Sequence, residues 1–142
     1  MTPHIESVEH YLLSIVPNLA TEWEGATEEE IAQIQALTPH PLPPFYLWFL
    51  RRMGHSLGQM EYPMADFSVQ AILAAYADTE DYPIEAEWIK QRYLMIGYNR
   101  DEVMPLHRWY DLERRTPEDA LVVHGRVTGG MTPTFATFGE ML

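Results

Sequence analysis

The segment from Pro39 to Gly54 constrains the fold more than any other, because it joins a cluster of prolines to a run of aromatic residues (PHPLPPFYLWFLRRMG). A residue that precedes proline avoids the helical conformation, so the prolines predict an extended stretch up to Pro44. Pro44 itself suits the first turn of a helix, where its missing N–H is not needed. After it, apolar side chains recur at helical spacing at Tyr46, Phe49, Leu50 and Met53. The sequence therefore predicts a helix whose aromatic face is buried in a core.

The far end of this helix carries signals of its own. Arg51 and Arg52 lie in the last turn, where positive charge complements the helix dipole. Gly54 is typical of the C′ position, which glycine fills because it tolerates a left-handed backbone. Trp48 lies off the apolar face, so it either packs under another element or is exposed for a partner.

Further helices are predicted on both sides of this segment. Thr27 and Glu30 have the spacing of a capping box, in which each side chain accepts a hydrogen bond from the other residue's backbone N–H. The helix that follows is expected to end at Pro39, and its buried face carries Ile31, Ile34 and Leu37. Apolar residues at spacings of three and four also predict helices from Pro3 to Val16 and from about Ser68 to Tyr76.

The second half of the chain has the pattern of strands. Short apolar runs between turn-forming residues predict strands at Tyr93–Gly97, Leu106–Leu112 and Leu121–Val123. Gly129-Gly130 is expected to form a turn, and the spacing of Thr137 and Glu140 predicts a short C-terminal helix. Helices first and strands later predict an α+β fold, in which N-terminal helices pack on a mainly antiparallel sheet. The length of 142 residues suits one domain, which we expect to span residues 1–142.

Charge is the strongest overall indication of function. Twenty-one acidic residues oppose nine basic ones, giving a net charge of −12, and Lys90 is the only lysine. Such a chain repels phosphate backbones, so we expect no nucleic-acid partner. It would attract a basic protein and speed its association. The alternative is that the charge serves solubility alone.

We expect neither an export signal nor a membrane helix. The first ten residues include Glu6 and Glu9 and lack the basic and apolar regions of a secretory signal. The longest mostly apolar run, PLPPFYLWFL, is well short of the ~20 residues that a membrane helix needs. Cysteine is absent, which removes disulfides and thiolate chemistry. A cytoplasmic protein without a membrane partner is expected.

The motifs for catalysis and for cofactors are weak. The six histidines show none of the spacings typical of metal sites, so we expect no metal and no cofactor. His55 and Ser56 are adjacent, and adjacent residues rarely face each other as nucleophile and base. His107 and His124 could approach each other on neighbouring strands, with Asp111 joining them. That arrangement would suit a small hydrolase, but satisfied sheet histidines are the simpler interpretation, and we expect a protein that is not an enzyme.

Several carboxylates are candidates for partner binding. The first group lies in a turn-prone stretch that is expected on the surface, and it comprises Asp78, Glu80, Asp81, Glu85 and Glu87. Glu22 and Glu24 come second, with Trp48 as an aromatic candidate. The glutamates at positions 28–30 rank lower because helix capping explains them. The alternative for both acidic groups is that their carboxylates are solvated on the surface and bind no partner.

Several of these stretches, taken together, resemble the SUKH superfamily, which includes bacterial immunity proteins of polymorphic toxin systems and a fungal regulator of cell-wall synthesis. The resemblance lies first in Trp23, Glu28-x-x-Ile31, Leu42-Pro43-x-x-Tyr46-x-x-Phe49-Leu50 and Gly54. Its later landmarks, within a match from Trp23 to Leu142, are Ile96-Gly97, Tyr110-Asp111-Leu112 and Phe138. Two residues depart from the family pattern, because Met53 replaces a polar residue and His55 replaces a second glycine.

The resemblance implies a non-catalytic protein that binds a toxin and blocks it. Toxins of such systems are frequently nucleases, which need basic surfaces to hold their substrates, and an acidic protein can cover such a surface. We therefore expect an immunity protein that neutralises a basic toxin, such as a nuclease, by occlusion. The alternative is an intracellular scaffold or regulatory module of the same fold without a toxin partner.

Overall fold

The computed structural model describes residues 9–11, 23–56, 65–77, 87–99, 106–126 and 129–138. The helices are α1 (Glu28–Gln35), α2 (Pro44–Met53), α3 (Val69–Ala77) and α4 (Glu87–Arg92). The strands are β1 (Ala65–Asp66), β2 (Tyr93–Asn99), β3 (His107–Arg115), β4 (Ala120–Arg126) and β5 (Gly129–Thr137). Helices and one antiparallel five-stranded sheet confirm the α+β fold.

Helix α1 begins at the predicted capping box. The Glu30 carboxylate accepts from the Thr27 N–H at 2.9 Å, and the Thr27 hydroxyl oxygen accepts from the Glu30 N–H at 3.2 Å. Ile31 and Ile34 are buried, as the apolar spacing predicts. The helix ends at Gln35, a few residues before the prolines that were expected to stop it.

Helix α2 lies at the centre of the fold. Pro44 occupies its first turn, and the predicted face is fully buried at Tyr46, Phe49, Leu50 and Met53. The Phe45 N–H donates to the Glu118 carbonyl oxygen at 2.7 Å, which ties the start of the helix to the turn between β3 and β4. The prediction for this helix and its buried face is confirmed.

Gly54 ends α2 for a different reason from the one predicted. It is the C-cap residue and has a right-handed backbone (φ −63°, ψ −22°), so left-handed freedom is not required. A Cβ at this position would lie 2.6 Å from the Leu50 carbonyl oxygen and 2.8 Å from the Ala26 Cβ. The Ala26 N–H donates to that same carbonyl at 2.8 Å. Glycine is needed because the segment before α1 passes directly against the end of α2.

The sheet is a meander in chain order, β1-β2-β3-β4-β5, with every neighbouring pair antiparallel. Strands β2, β3 and β4 confirm the three predicted strands. The prediction of a turn at Gly129-Gly130 is wrong, since both residues belong to β5 and pairing joins Gly129 to Arg126. Glycine is common in turns, but here the two glycines are the first residues of a strand.

Each edge of the sheet carries a feature that limits further strand pairing. On the outer side of β2, the short strand β1 pairs only with Tyr98 and Asn99. Farther along that edge, the Met95 N–H donates to the Tyr76 hydroxyl of α3 at 3.0 Å. At the opposite edge, β5 contains Pro133, which has no N–H to offer.

The core between α2 and the sheet is an aromatic cluster around Phe138, which is 1 % exposed. Its ring centroid lies 4.9 Å from Phe49, 5.6 Å from Phe67 and 5.9 Å from Tyr110. Aromatic pairs of this kind stabilise by roughly 0.5–1.5 kcal/mol each beyond their buried area. The last described residue thus joins helix α2 to the sheet.

The remaining helix predictions have mixed outcomes. Helix α3 confirms the one predicted from about Ser68 to Tyr76. Of the helix predicted from Pro3 to Val16, residues 9–11 are described and helical, and the rest lies outside the described residues. Of the C-terminal helix, Phe138 is described and helical, and residues 139–142 lie outside.

Candidate functional site

The acidic stretch that ranked first as a partner surface falls mostly outside the described residues. The candidates that lie there are Glu22, Asp78, Glu80, Asp81 and Glu85. Glu87 is the first residue of α4, but its side chain is also outside the description. The segment 78–86 connects the end of α3 to the start of α4. These candidates stay predictions.

Glu24 belongs to a described acidic surface beside the start of α1. Its N–H donates to the Ser56 carbonyl at 3.2 Å and its own carbonyl accepts from the Ser56 N–H at 3.1 Å, which fixes the backbone. The residue is exposed, as are Glu28 and Glu29 in the first turn of the helix. Arg51 offsets part of this charge, with its Nε 3.1 Å from the Glu28 carboxylate. Glu24 is therefore accessible to a basic partner.

Trp48 is half-buried and packs against other aromatic residues of the chain, and its role in partner binding stays a prediction. Its ring lies 5.2 Å from Phe45 and edge-on to Trp23 at 6.2 Å. Its Nε1 donates to the Glu9 carboxylate at 3.3 Å. Arg52 binds the same carboxylate at 2.8 Å. The half-buried indole thus joins α2 to the helical residues 9–11.

A groove of about 1030 Å³ was not among the predicted sites. It is lined by residues 36–40 after α1, by residues 90–92 at the end of α4, and by Glu113 of β3. The groove thus opens where the C-terminal ends of two helices meet the sheet.

The loop that forms one wall of the groove is held by two polar side chains. Gln35 Nε2 donates to the His40 carbonyl at 2.7 Å, and Gln35 Oε1 accepts from the Leu42 N–H at 3.0 Å. His40 Nε2 donates to the Gln91 carbonyl at 2.7 Å, which joins this loop to the end of α4. The two walls are therefore bonded to each other, and the groove is formed in advance of any ligand.

A charged network around Arg92 forms another side of the groove. Its Nε and Nη2 donate to the two Asp111 oxygens at 3.0 and 2.9 Å, in a bidentate pair. Asp111 is buried, whereas Glu113, whose carboxylate lies 3.2 Å from Arg92 Nε, is exposed. The hydrogen bond to Asp111 raises the pKa of the Arg92 guanidinium well above its usual range. The guanidinium is thus permanently charged and held in one orientation.

Other cations lie beside this network. Lys90 lines the groove, and no ion pair joins it to any side chain that the structure describes. Arg114 Nε lies 3.6 Å from the Asp111 carboxylate, and Arg115 donates to the Pro41 carbonyl at 2.6 Å. The groove region therefore gathers positive charge in a chain whose net charge is −12.

Both ring nitrogens of His55 are engaged. Nε2 donates to the Glu30 carboxylate at 2.7 Å, and Nδ1 accepts from the Gln70 amide at 2.5 Å. Hydrogen bonds from the Thr27 backbone and from His55 lower the pKa of Glu30. No ring nitrogen is left for Ser56, so the arrangement of base and nucleophile considered from the sequence is not formed.

The residues considered for a hydrolase do not meet. His107 pairs with Gly125 and His124 pairs with Arg108, so the two imidazoles point to opposite faces of the sheet. Asp111 is four residues from His107 along β3, which is roughly 13 Å. Its carboxylate is occupied by the ion pair described above. These three side chains therefore do not come together as one catalytic site.

His107 has a structural environment of its own. It is 2 % exposed and its ring stacks on Tyr98 at 4.8 Å. Its Nδ1 accepts from the Asn99 N–H at 3.0 Å. Burial lowers the pKa of the imidazole to about 4. The side chain is thus a neutral hydrogen-bond acceptor inside the fold, as the simpler interpretation predicted.

Metal ligands and membrane helices were sought in the described ranges. No group of three or more His, Asp or Glu side chains there could hold a metal ion. No helix of this part of the chain is long and apolar enough to cross a membrane.

Comparison with known proteins gives no match. No family model matches the chain, and no curated protein or solved structure searched does so either. The resemblance to the SUKH superfamily therefore stays a prediction.

Proposed function

We propose that this chain is a cytoplasmic immunity-type protein that binds a basic toxin domain and neutralises it by covering its surface. The observation that carries this proposal is the net charge of −12 and its distribution along the chain. Eight of the nine basic residues, but only eleven of the twenty-one acidic ones, lie in the described ranges. Most of the excess negative charge thus belongs to the segments between the described elements.

Such a distribution suits a protein that attracts its partner by charge. The segment 78–86 combines four carboxylates with no basic residue, and it joins two helices of the fold. The exposed Glu24, Glu28 and Glu29 add negative charge at the start of α1. Opposite charge raises association rates, and an acidic cover on a basic cleft would exclude a phosphate-bearing substrate from it.

The second support is the sequence resemblance to SUKH immunity proteins. The matched positions include Phe49, Leu50 and Phe138, which are buried core residues. They account for a shared scaffold and do not identify a binding face. A scaffold or regulatory module of the same fold is the alternative, and a test of inhibition separates the two.

The test is capture followed by reconstitution. Tagged chain would be used to capture proteins from a lysate of the native host, and the protein recovered with it would be purified separately. We expect a basic protein whose activity or toxicity falls in proportion to added chain and vanishes near equimolar amounts. The matched bait Asp81→Lys/Glu85→Lys should recover less of it. A captured protein whose activity is unchanged by an excess of the chain would favour the scaffold alternative, and recovery of no basic protein would overturn the proposal.

A further inference from the structure

The groove between residues 36–40 and 90–92 has a charge opposite to that of the chain as a whole. We infer that this groove binds an acidic, extended segment of a protein partner, at a surface separate from the acidic one proposed above. The inference does not depend on the toxin-binding proposal, because it rests on different residues. Its three grounds are the charge of Lys90, the arrangement around Arg92, and the shape of the groove.

Charge complementarity is the first ground. Lys90 lines the groove without an ion-pair partner among the side chains that the structure describes. Arg92 is held from the buried side by Asp111, while the exposed Glu113 covers it from the solvent side. A carboxylate of an incoming segment can take the place of Glu113 and leave the buried pair intact. The groove therefore offers two cations to two carboxylates.

The size and shape of the groove favour an extended segment over a small anion. The volume of about 1030 Å³ lies at the upper end of the range for small-molecule sites, roughly 300–1,000 Å³, which leaves room for several residues. The bonds from Gln35 and His40 form the groove in advance, which lowers the entropic cost of binding.

The negative charge of the whole chain does not prevent this binding at physiological ionic strength. Interactions between exposed charges are largely screened beyond about 8 Å at 0.15 M salt. Only the charges that line the groove then act strongly on a ligand inside it. Binding is therefore best measured near that ionic strength, where the distant carboxylates contribute little.

The experiment uses fluorescein-labelled octaglutamate as the probe and fluorescence anisotropy as the readout, at about 0.15 M salt. We expect saturable binding that Lys90→Gln weakens about threefold to fivefold, the effect of one exposed ion pair. Glu113→Gln removes the competing carboxylate and should strengthen binding by a similar factor. Arg126→Gln is the matched control, because it changes the net charge as Lys90→Gln does but lies at the far end of β4. It should leave the affinity unchanged.

Several results would overturn the inference. Equal losses for Lys90→Gln and Arg126→Gln would show general charge attraction, and equal binding of octaglutamine would show that carboxylates are not recognised. If inorganic phosphate displaces the probe when the two are present at equal concentration, the groove would be assigned to a small anion. Dimers in sedimentation that Lys90→Gln dissociates would assign it to a second copy of this chain. Since no described side chain forms an ion pair with Lys90, its variant should fold, and an unchanged thermal melt checks this.

Discussion

Lowering the pH from neutral to about 5.5 should destabilise this protein through His107. The imidazole is buried, and its Nδ1 accepts a hydrogen bond from the Asn99 N–H. Protonation would place a hydrogen on that nitrogen, break the bond and bury a charge beside Tyr98. Burial accordingly lowers the pKa of His107 to about 4.

The magnitude follows from the difference between the folded and unfolded states. An unfolded histidine has a pKa of about 6.5, so His107 binds its proton more tightly when the chain is unfolded. The stabilisation by neutral His107 is therefore complete above about pH 6.5 and is lost as the pH falls from 6.5 towards 4. The full loss is about 3 kcal/mol, of which about 1 kcal/mol falls between pH 7 and pH 5.5.

The assay is denaturant unfolding followed by tryptophan fluorescence at about pH 7 and about pH 5.5, both above the sequence pI of 4.7. His107→Asn is the matched control, because an asparagine amide oxygen can accept from the Asn99 N–H and does not titrate. The wild type should lose about 1 kcal/mol more than the variant between the two pH values. His124, whose pKa is also lowered by burial and by Arg108, is present in both proteins, so its effect cancels. Equal losses in the two proteins would refute the reasoning.

Three further predictions concern the core, a glycine and catalysis. Leu50→Ala should lower the free energy of unfolding by roughly 2–5 kcal/mol, and a loss under about 0.5 kcal/mol in denaturant melts would contradict the burial of α2. Gly54→Ala should cost about 1–3 kcal/mol, since its Cβ would crowd the Leu50 carbonyl and Ala26; a neutral effect in the same melts would disprove the close approach. His107→Ala and Asp111→Asn, if folded by circular dichroism, should leave partner neutralisation intact. Turnover by the purified protein that these changes abolish would show an enzyme instead.

Helix α2 could be predicted from the sequence almost completely because all of its signals are local. Pro44 sets its start, and the spacing of the apolar residues sets its buried face within ten positions of the chain. The end at Gly54 was placed correctly, but its cause depends on Ala26, which is distant in sequence. Periodicity shows where a helix stops and does not show which other segment approaches it.

The groove could not be predicted because it is made by contacts between distant residues. His40 and Gln91 are 51 positions apart, and Arg92 and Asp111 are 19 apart. The available signal was weak: the only lysine, with an arginine two residues later, in the last turn of a helix. That pattern alone equally suits a helix dipole. Only the packing of α1 and α4 beside β3 brings these residues together around the groove.

The central claim, that charge brings this protein to a basic partner, is tested most directly by association rates. The rate of binding to the captured partner would be measured against ionic strength for the wild type and for Asp81→Lys/Glu85→Lys. The control is Glu29→Lys/Glu113→Lys, which changes the net charge equally at exposed positions outside the first-ranked segment 78–86. We expect a fast, steeply salt-dependent rate for the wild type, a slower and flatter one for the 81/85 variant, and a smaller change for the control. Identical rates and identical salt slopes for all three proteins would contradict the claim.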